Sequence, residues 1–146
     1  MRTVLFRGKA VNRDKGEFRS KYRNGDWVYG VVSRIWDENF PALPAEMTNT
    51  AGISGIDVDH TTIGESTGIS DKAGKLIFEG DILRLGYLHG YVVVKWRSDI
   101  GGFALWIPDC EAYNESWTVG FNEDTLSNFA EVVGNIHDNP ELISKE

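Results

Sequence analysis

The sequence predicts a mainly β fold of barrel-like antiparallel sheets, either SH3-like or pseudo-barrel, with short helical turns. Short runs of β-branched and aromatic residues recur along the 146 residues, and such runs are typical of strands. Sixteen glycines divide these runs, and glycine is typical of the turns between strands. Segment 61–85 shows the pattern most clearly, because a tight turn and a Glu-Gly-Asp bend divide it into three strand-like runs.

The N-terminal third predicts two strands separated by a polar segment. Residues 1–11 predict a first strand in which Val4, Phe6 and Leu5 face inward. Residues 12–25 are polar and basic, and they predict a long hairpin or a mobile loop. Residues 27–35 are aromatic and β-branched, so they predict a second strand, in which Gly30 marks a bulge.

The region after the second strand predicts a connection followed by a half-buried strand. Pro41 and Pro44 exclude a regular central strand, since proline has no N–H to donate to a ladder. Residues 37–55 therefore predict at most one helical turn or a short strand. Residues 56–59, Ile-Asp-Val-Asp, alternate between apolar and acidic and predict a strand with one buried face.

Segment 61–85 predicts a hairpin followed by a bend. Asp71 can accept a hydrogen bond from a backbone N–H two residues on, and Gly74 can adopt a positive φ. Together they predict a type I turn closed by a glycine bulge. Gly80, between two acids, predicts the bend into the next strand.

The C-terminal part predicts a strand meander and short helical turns. Closure of such a meander, as in small SH3-like barrels, would remove exposed strand edges. The predicted elements are strands over 91–96, 103–107 and 129–136, a short helix over 123–129 capped by Asn122, and a terminal turn capped by Asn139.

Length and composition predict one domain over 1–146, either undivided or built from two packed β lobes of about 1–60 and 61–146. The single cysteine, Cys110, cannot form an intramolecular disulfide, which favours a reducing compartment. No apolar run is long enough for a secretion signal or a bilayer span. We therefore expect a cytoplasmic protein with no membrane partner.

The charge is unevenly distributed. Residues 1–34 hold nine basic and three acidic residues, a net charge of +6, and the remainder holds six basic and nineteen acidic residues, a net charge of −13. One interpretation is that the basic segment packs on acidic surface of its own chain or of a neighbouring subunit. The other is that the basic segment contacts phosphate.

Basic and aromatic residues interleave over positions 13–27 of this basic N-terminal third. In one interpretation the aromatic rings anchor a protein interface. In the other, the cations contact phosphates while the rings stack on unpaired bases. The candidate contact residues are Arg13, Lys15, Phe18, Arg19, Lys21, Tyr22, Arg23 and Trp27.

Few residues suggest catalysis or metal binding. Asp57 and Asp59 share a predicted strand face beside His60, and carboxylate oxygens suit Mg²⁺ or Ca²⁺, although a solvated strand face has the same pattern. The sequence has no P-loop, dinucleotide-binding motif, nucleophile elbow or zinc-ligand spacing. We predict no catalytic residue, no metal and no cofactor, and so no enzymatic activity.

Three blocks of residues form a recognisable pattern along the chain: Phe-Arg at 6–7 with Trp-Val-Tyr-Gly at 27–30; Thr-Ile-Gly at 62–64, Thr-Gly at 67–68, Asp-Lys at 71–72, Gly-Lys at 74–75 and Phe-Glu-Gly-Asp-Ile at 78–82; and Gly-Asn-Ile at 134–136 with Asn-Pro-Glu at 139–141. These blocks resemble the YopX family of phage and prophage proteins, mostly from Gram-positive bacteria. The chain departs from the family pattern after Arg7, in the length of its basic segment and at Ala73. The resemblance implies a mainly β, barrel-like fold and a phage or prophage origin, and it implies no known activity.

The sequence leaves three functional hypotheses. The first is a non-enzymatic phage or prophage accessory protein, a self-associating interaction module with Phe18, Tyr22 and Trp27 at an interface with itself or with a phage or host protein. The alternative is a nucleic-acid-binding module that uses the basic, aromatic N-terminal face. The third is a metal-dependent enzyme built on the two aspartates and the histidine of 57–60.

Overall fold

The computed structural model describes residues 4–11, 22–35, 45–86, 90–108, 117–118 (backbone only) and 122–143. The chain divides into two compact units, an N-terminal unit that ends at Glu65 and a C-terminal unit that begins at Ser66. Strands dominate both units and form two antiparallel sheets, one of them partly closed into a ring. The predicted mainly β, pseudo-barrel fold is therefore confirmed.

The N-terminal unit contains the ring. Strand β1 pairs with β2 on one side and with β4 on the other, and β3 joins β2 to β4, so four antiparallel strands close on themselves. Val28, Met47 and Val58 come from three different strands, and all three are fully buried inside the ring. The strands are β1 Phe6–Ala10, β2 Trp27–Arg34, β3 Ala45–Asn49 and β4 Ile56–Ser70, of which β4 continues into the C-terminal unit.

The structure corrects two details of this unit. Val4, predicted to face inward, precedes β1 and is 48% exposed. Gly30 does not mark the bulge, because the register of β2 against β3 shifts later, between Val32 and Arg34. A side chain at Gly30 would overlap the carbonyl oxygen of Thr48, so this glycine permits a close approach of two backbones.

The C-terminal unit contains the second sheet, whose strand order is β10-β6-β7-β8-β9. Strands β6, β7 and β8 form the predicted meander, and β10 returns to pair with β6. Leu83, Val94 and Leu105 from these three strands are buried together with Leu126 of the helix. The elements are β5 Leu76–Phe78, β6 Asp81–Leu85, β7 Tyr91–Arg97, β8 Gly102–Trp106, β9 Trp117–Thr118, α1 Glu123–Phe129, β10 Ala130–Asn135 and a 3₁₀ helix over Pro140–Leu142.

The two predicted asparagine caps have different outcomes. Asn122 Oδ1 accepts a hydrogen bond from the Thr125 N–H at 2.8 Å, which confirms it as the N-cap of α1. Asn139 precedes the 3₁₀ helix but does not cap it with its side chain. Its Oδ1 instead accepts from the Asn135 N–H at 3.2 Å, so it stabilises the end of β10. None of the helices in the described parts of the chain has the length and apolar character to cross a bilayer.

Candidate interaction face of the N-terminal sheet

The structure describes three of the eight candidate contact residues. Arg13, Lys15, Phe18, Arg19 and Lys21 lie outside the described residues. Tyr22, Arg23 and Trp27 lie within them.

Tyr22 and Arg23 both take part in local structure. The Tyr22 ring is partly buried against the core of the N-terminal unit, and its hydroxyl accepts a hydrogen bond from Asn49 Nδ2 at 3.0 Å. Arg23 is exposed at the start of a turn, where its backbone N–H donates to Asp26 Oδ2 at 2.8 Å. Tyr22 therefore anchors the core of this unit, and Arg23 leaves its side chain at the surface.

Trp27 begins β2 and lies between two cations of β1. The register places Lys9 opposite Trp27 and Arg7 opposite Tyr29, so these side chains share the outer face of the sheet. The Arg7 guanidinium carbon lies 4.6 Å from the centre of the Trp27 ring, and Lys9 Nζ lies 5.5 Å from it. Both distances fit cation–π contacts. Arg7, in contact with the Trp27 ring, is only 4% exposed.

The next two outward positions of β2 are apolar and exposed. Tyr29 is 40% exposed and Val31 is 52% exposed, whereas Val28 between the outward positions is fully buried. We call the outward side chains of Trp27, Tyr29 and Val31 the β2 face. Tyr29 and Val31 are not among the candidate contact residues predicted from the sequence. A signal for them is nevertheless present in the sequence, since both the inward and the first three outward positions of β2 are apolar or aromatic.

Opposite charges border the β2 face in cross-strand pairs. Lys9 of β1 lies opposite Asp59 of β4, and Arg34 of β2 lies opposite Glu46 of β3. Residues 3–65 hold eight basic and nine acidic residues, a net charge of −1, whereas residues 66–146 hold six basic and thirteen acidic residues, a net charge of −7. The unit that carries the β2 face is therefore almost neutral.

The turn residues Asp71, Gly74 and Gly80 fix the backbone conformation of turns in the C-terminal unit. Asp71 Oδ1 accepts from the N–H groups of Ala73 and Lys75, both at 2.9 Å, and Oδ2 accepts from the Val132 N–H at 3.0 Å. Burial raises the pKa of the Asp71 carboxyl, but these three backbone hydrogen bonds outweigh burial and hold the pKa below its ordinary value. The two glycines adopt φ values of +85° and +90°.

Comparison with known proteins identifies the family. The sequence model of the family described as YopX protein matches residues 17–144. The chain belongs to the YopX family. The crystal structure of protein EF1440 from Enterococcus faecalis is similar over 99% of this chain and 100% of that chain, with a TM-score of 0.56 and 22% sequence identity. At this identity the similarity shows the fold alone, and a comparison with curated proteins gives no match.

The acidic residues of β4 are the candidate metal ligands, and Asp59 makes local hydrogen bonds instead. Asp59 Oδ1 accepts from the Thr61 N–H at 3.0 Å and from the Thr61 hydroxyl at 2.7 Å. Within the described ranges, no three residues of the types His, Cys, Asp and Glu converge to hold a metal ion, and these ranges include Asp57 and His60. The hydrogen bonds of Asp59 fit a role in the local conformation of β4.

Proposed function

We propose that this YopX-family protein is a non-enzymatic accessory protein of a phage or prophage, which acts in the host cytoplasm as a protein-interaction module through its β2 face. The observation that carries the proposal is the row of outward aromatic and apolar side chains on β2, with Tyr29 40% and Val31 52% exposed. Contiguous exposed apolar side chains on a folded protein are typical of binding sites, and Trp and Tyr are enriched at the energetic centres of protein interfaces. We assign no catalytic residue, metal or cofactor to this function.

The environment of Trp27 favours a protein partner over a nucleic acid. Stacking of a base needs an accessible ring face, and the cations of Arg7 and Lys9 already lie within 5.5 Å of the Trp27 ring centre. Arg7 is also 4% exposed, so its guanidinium has little surface to offer a phosphate. Tyr29 and Val31 add exposed aromatic and apolar surface beside Trp27, and such surface is typical of the buried centre of a protein interface.

The test is a quantitative pull-down from phage-infected or lysogenic cells with the full chain as bait. The disruptive variant is Val31→Asp, and the matched control is Ile100→Asp, which changes an equally apolar side chain, 61% exposed, in the turn between β7 and β8. We expect Val31→Asp to lose specific protein partners that the wild type and Ile100→Asp retain. Identical partner sets for all three baits would contradict the proposal.

Nucleic-acid binding remains the second candidate, and one observation favours it. Trp27 begins β2 directly after the basic residues 12–25, and Lys9 of β1 lies opposite it. This function predicts salt-sensitive retention of single-stranded DNA or RNA that weakens when Arg19, Lys21 and Arg23 are changed together to Ala. Val31→Asp should leave that retention unchanged. No retention at low salt would eliminate this candidate.

A further inference from the structure

Strand β2 has the composition of a strand that is covered on both faces. Its inward positions Val28 and Val32 are apolar, and its first three outward positions, Trp27, Tyr29 and Val31, are apolar or aromatic as well. An antiparallel sheet with one solvated face normally alternates apolar and polar residues, whereas apolar residues on both faces are typical of strands packed from both sides. Packing of a second sheet on the outer face is the ordinary way to cover such a strand.

The charges around the β2 face suit contact with an identical face. A two-fold interface brings the same surface patch together twice, so a patch of a single sign would repel its copy. Here Lys9 lies opposite Asp59 and Arg34 lies opposite Glu46, so both signs border the face. Two copies can therefore meet with positive groups of one against negative groups of the other.

The overall charge distribution favours the same contact. Residues 3–65 carry a net charge of −1, and residues 66–146 carry a net charge of −7. Contact between residues 66–146 of two copies would place −7 against −7, and contact between residues 3–65 of two copies would place −1 against −1. We propose that the β2 face is covered by the β2 face of a second copy of the chain, in a two-fold homodimer formed by the N-terminal sheets. This inference rests on the proposed function, because it names the partner of the same face.

Light scattering coupled to size exclusion tests the dimer. The wild type should have the mass of two 16.3 kDa chains. Val31→Asp places one charge from each copy in the contact, so it should raise the dimer dissociation constant at least about 100-fold and give a monomer. Ile100→Asp should remain a dimer, and circular dichroism should show that both variants keep the wild-type strand content. A monomeric wild type at its highest soluble concentration, or a Val31→Asp variant as dimeric as the wild type, would overturn the proposal.

Chemical crosslinking tests which face forms the dimer. In a Cys110→Ser background, Val31→Cys should be joined efficiently to its copy by a bis-maleimide reagent, and Ile100→Cys should not. A wild-type dimer in which Val31→Cys does not crosslink would show that another face is used and would overturn the proposal. If the wild type is monomeric but Val31→Asp still loses its partners in the pull-down, the homodimer is wrong and the proposed function stands.

Discussion

Strands β2 and β7 have similar compositions and very different surroundings. In β7 the consecutive residues Val92, Val93 and Val94 are each at most 2% exposed, although Val93 points to the face opposite to its two neighbours. In β2 the outward Tyr29 and Val31 are 40% and 52% exposed. Strand β2 therefore has the apolar composition of a strand that is buried on both faces, but only its inner face is buried. The proposed interface rests on this difference.

The two units also differ in how side chains replace missing ladder hydrogen bonds. In the N-terminal unit the Thr62 hydroxyl accepts from the Lys9 N–H at 2.9 Å and donates to the Asp59 carbonyl at 2.6 Å, where the register of β1 against β4 shifts. In the C-terminal unit the Asp71 carboxylate accepts from the Val132 N–H on the edge of β10. A neutral hydroxyl accepts the backbone hydrogen bond in the N-terminal unit, and a charged carboxylate accepts it in the C-terminal unit.

The largest expected effect is in the N-terminal ring. In Gly30→Ala the new Cβ would overlap the backbone carbonyl of Thr48, which cannot move without separating β2 from β3. We expect a loss of at least about 3 kcal/mol in the free energy of unfolding, measured by urea denaturation. Gly102→Ala in β8 is the matched control, because no heavy atom beyond the adjoining residues lies within 4 Å of the position that its Cβ would take. Equal stability of the two variants would show that β2 and β3 tolerate separation.

The next largest effect is expected in the C-terminal unit, at the hydrogen bonds of the Asp71 carboxylate. Asp71→Ala leaves the N–H groups of Ala73, Lys75 and Val132 without their carboxylate acceptor. Hydrogen bonds to charged groups are among the stronger ones, so we expect a loss of about 3 kcal/mol in the free energy of unfolding at neutral pH. Hydrogen exchange should quicken at these three amides and stay unchanged in β2. Uniform quickening across both units would argue against a local role.

The same carboxylate predicts a pH dependence. Its pKa in the folded protein is lower than the ordinary 3.8 of the unfolded chain, so folding favours the ionised form. The contribution is complete above the unfolded pKa and is lost as the pH falls through 3.8 toward the folded pKa. The stability difference between wild type and Asp71→Asn should therefore shrink as urea denaturation is repeated at lower pH. A constant difference from neutral pH to below pH 3.8 would contradict this assignment.

Local sequence signals predict much of this fold, and the reason is visible at individual residues. The Asp71 turn and the Asn122 cap depend on backbone groups a few residues away, so the sequence carries their whole chemistry. The contact of Asp71 with Val132 spans 61 residues, and the close approach of the Gly30 backbone to Thr48 depends on a pairing that no local pattern encodes. Alternation fixes which residues share a face, but it does not reveal whether that face is covered.

The candidate site is harder to predict for the same reason. Residue type alone singles out Tyr22 and Trp27, and the structure gives one a contact in the core and the other a place on the outer face. Arg7 contributes to the basic charge of the N-terminal segment, but the β1–β2 register brings it beneath the Trp27 ring. Tyr29 and Val31 do not stand out, because an aromatic and β-branched run predicts a strand without predicting which of its faces is exposed.

A direct test of the comparison truncates one valine in each strand. Val93→Ala removes two fully buried methyl groups from β7, so we expect a loss of about 2 kcal/mol in the free energy of unfolding. Val31→Ala on the exposed face of β2 should change that free energy by at most about 0.5 kcal/mol. Both should be measured by urea denaturation at low protein concentration, where a dimer would dissociate. Equal losses would mean that β2 is covered within the monomer, which would remove the basis of the proposed interface.

The smallest effect expected from the loss of a hydrogen bond concerns the neutral contact of the N-terminal unit. Thr62→Val keeps the shape of the side chain but leaves the Lys9 N–H and the Asp59 carbonyl without the hydroxyl, so we expect a loss of about 1 kcal/mol in the free energy of unfolding. Because the hydroxyl does not titrate, this loss should stay constant over the acidic range in which the Asp71→Asn difference shrinks. The two variants therefore serve as controls for each other in the same urea series. A Thr62→Val loss that varies with pH as the Asp71→Asn difference does would show that acid weakens the whole fold, and the proposed distinction between a neutral and a charged contact would then be wrong.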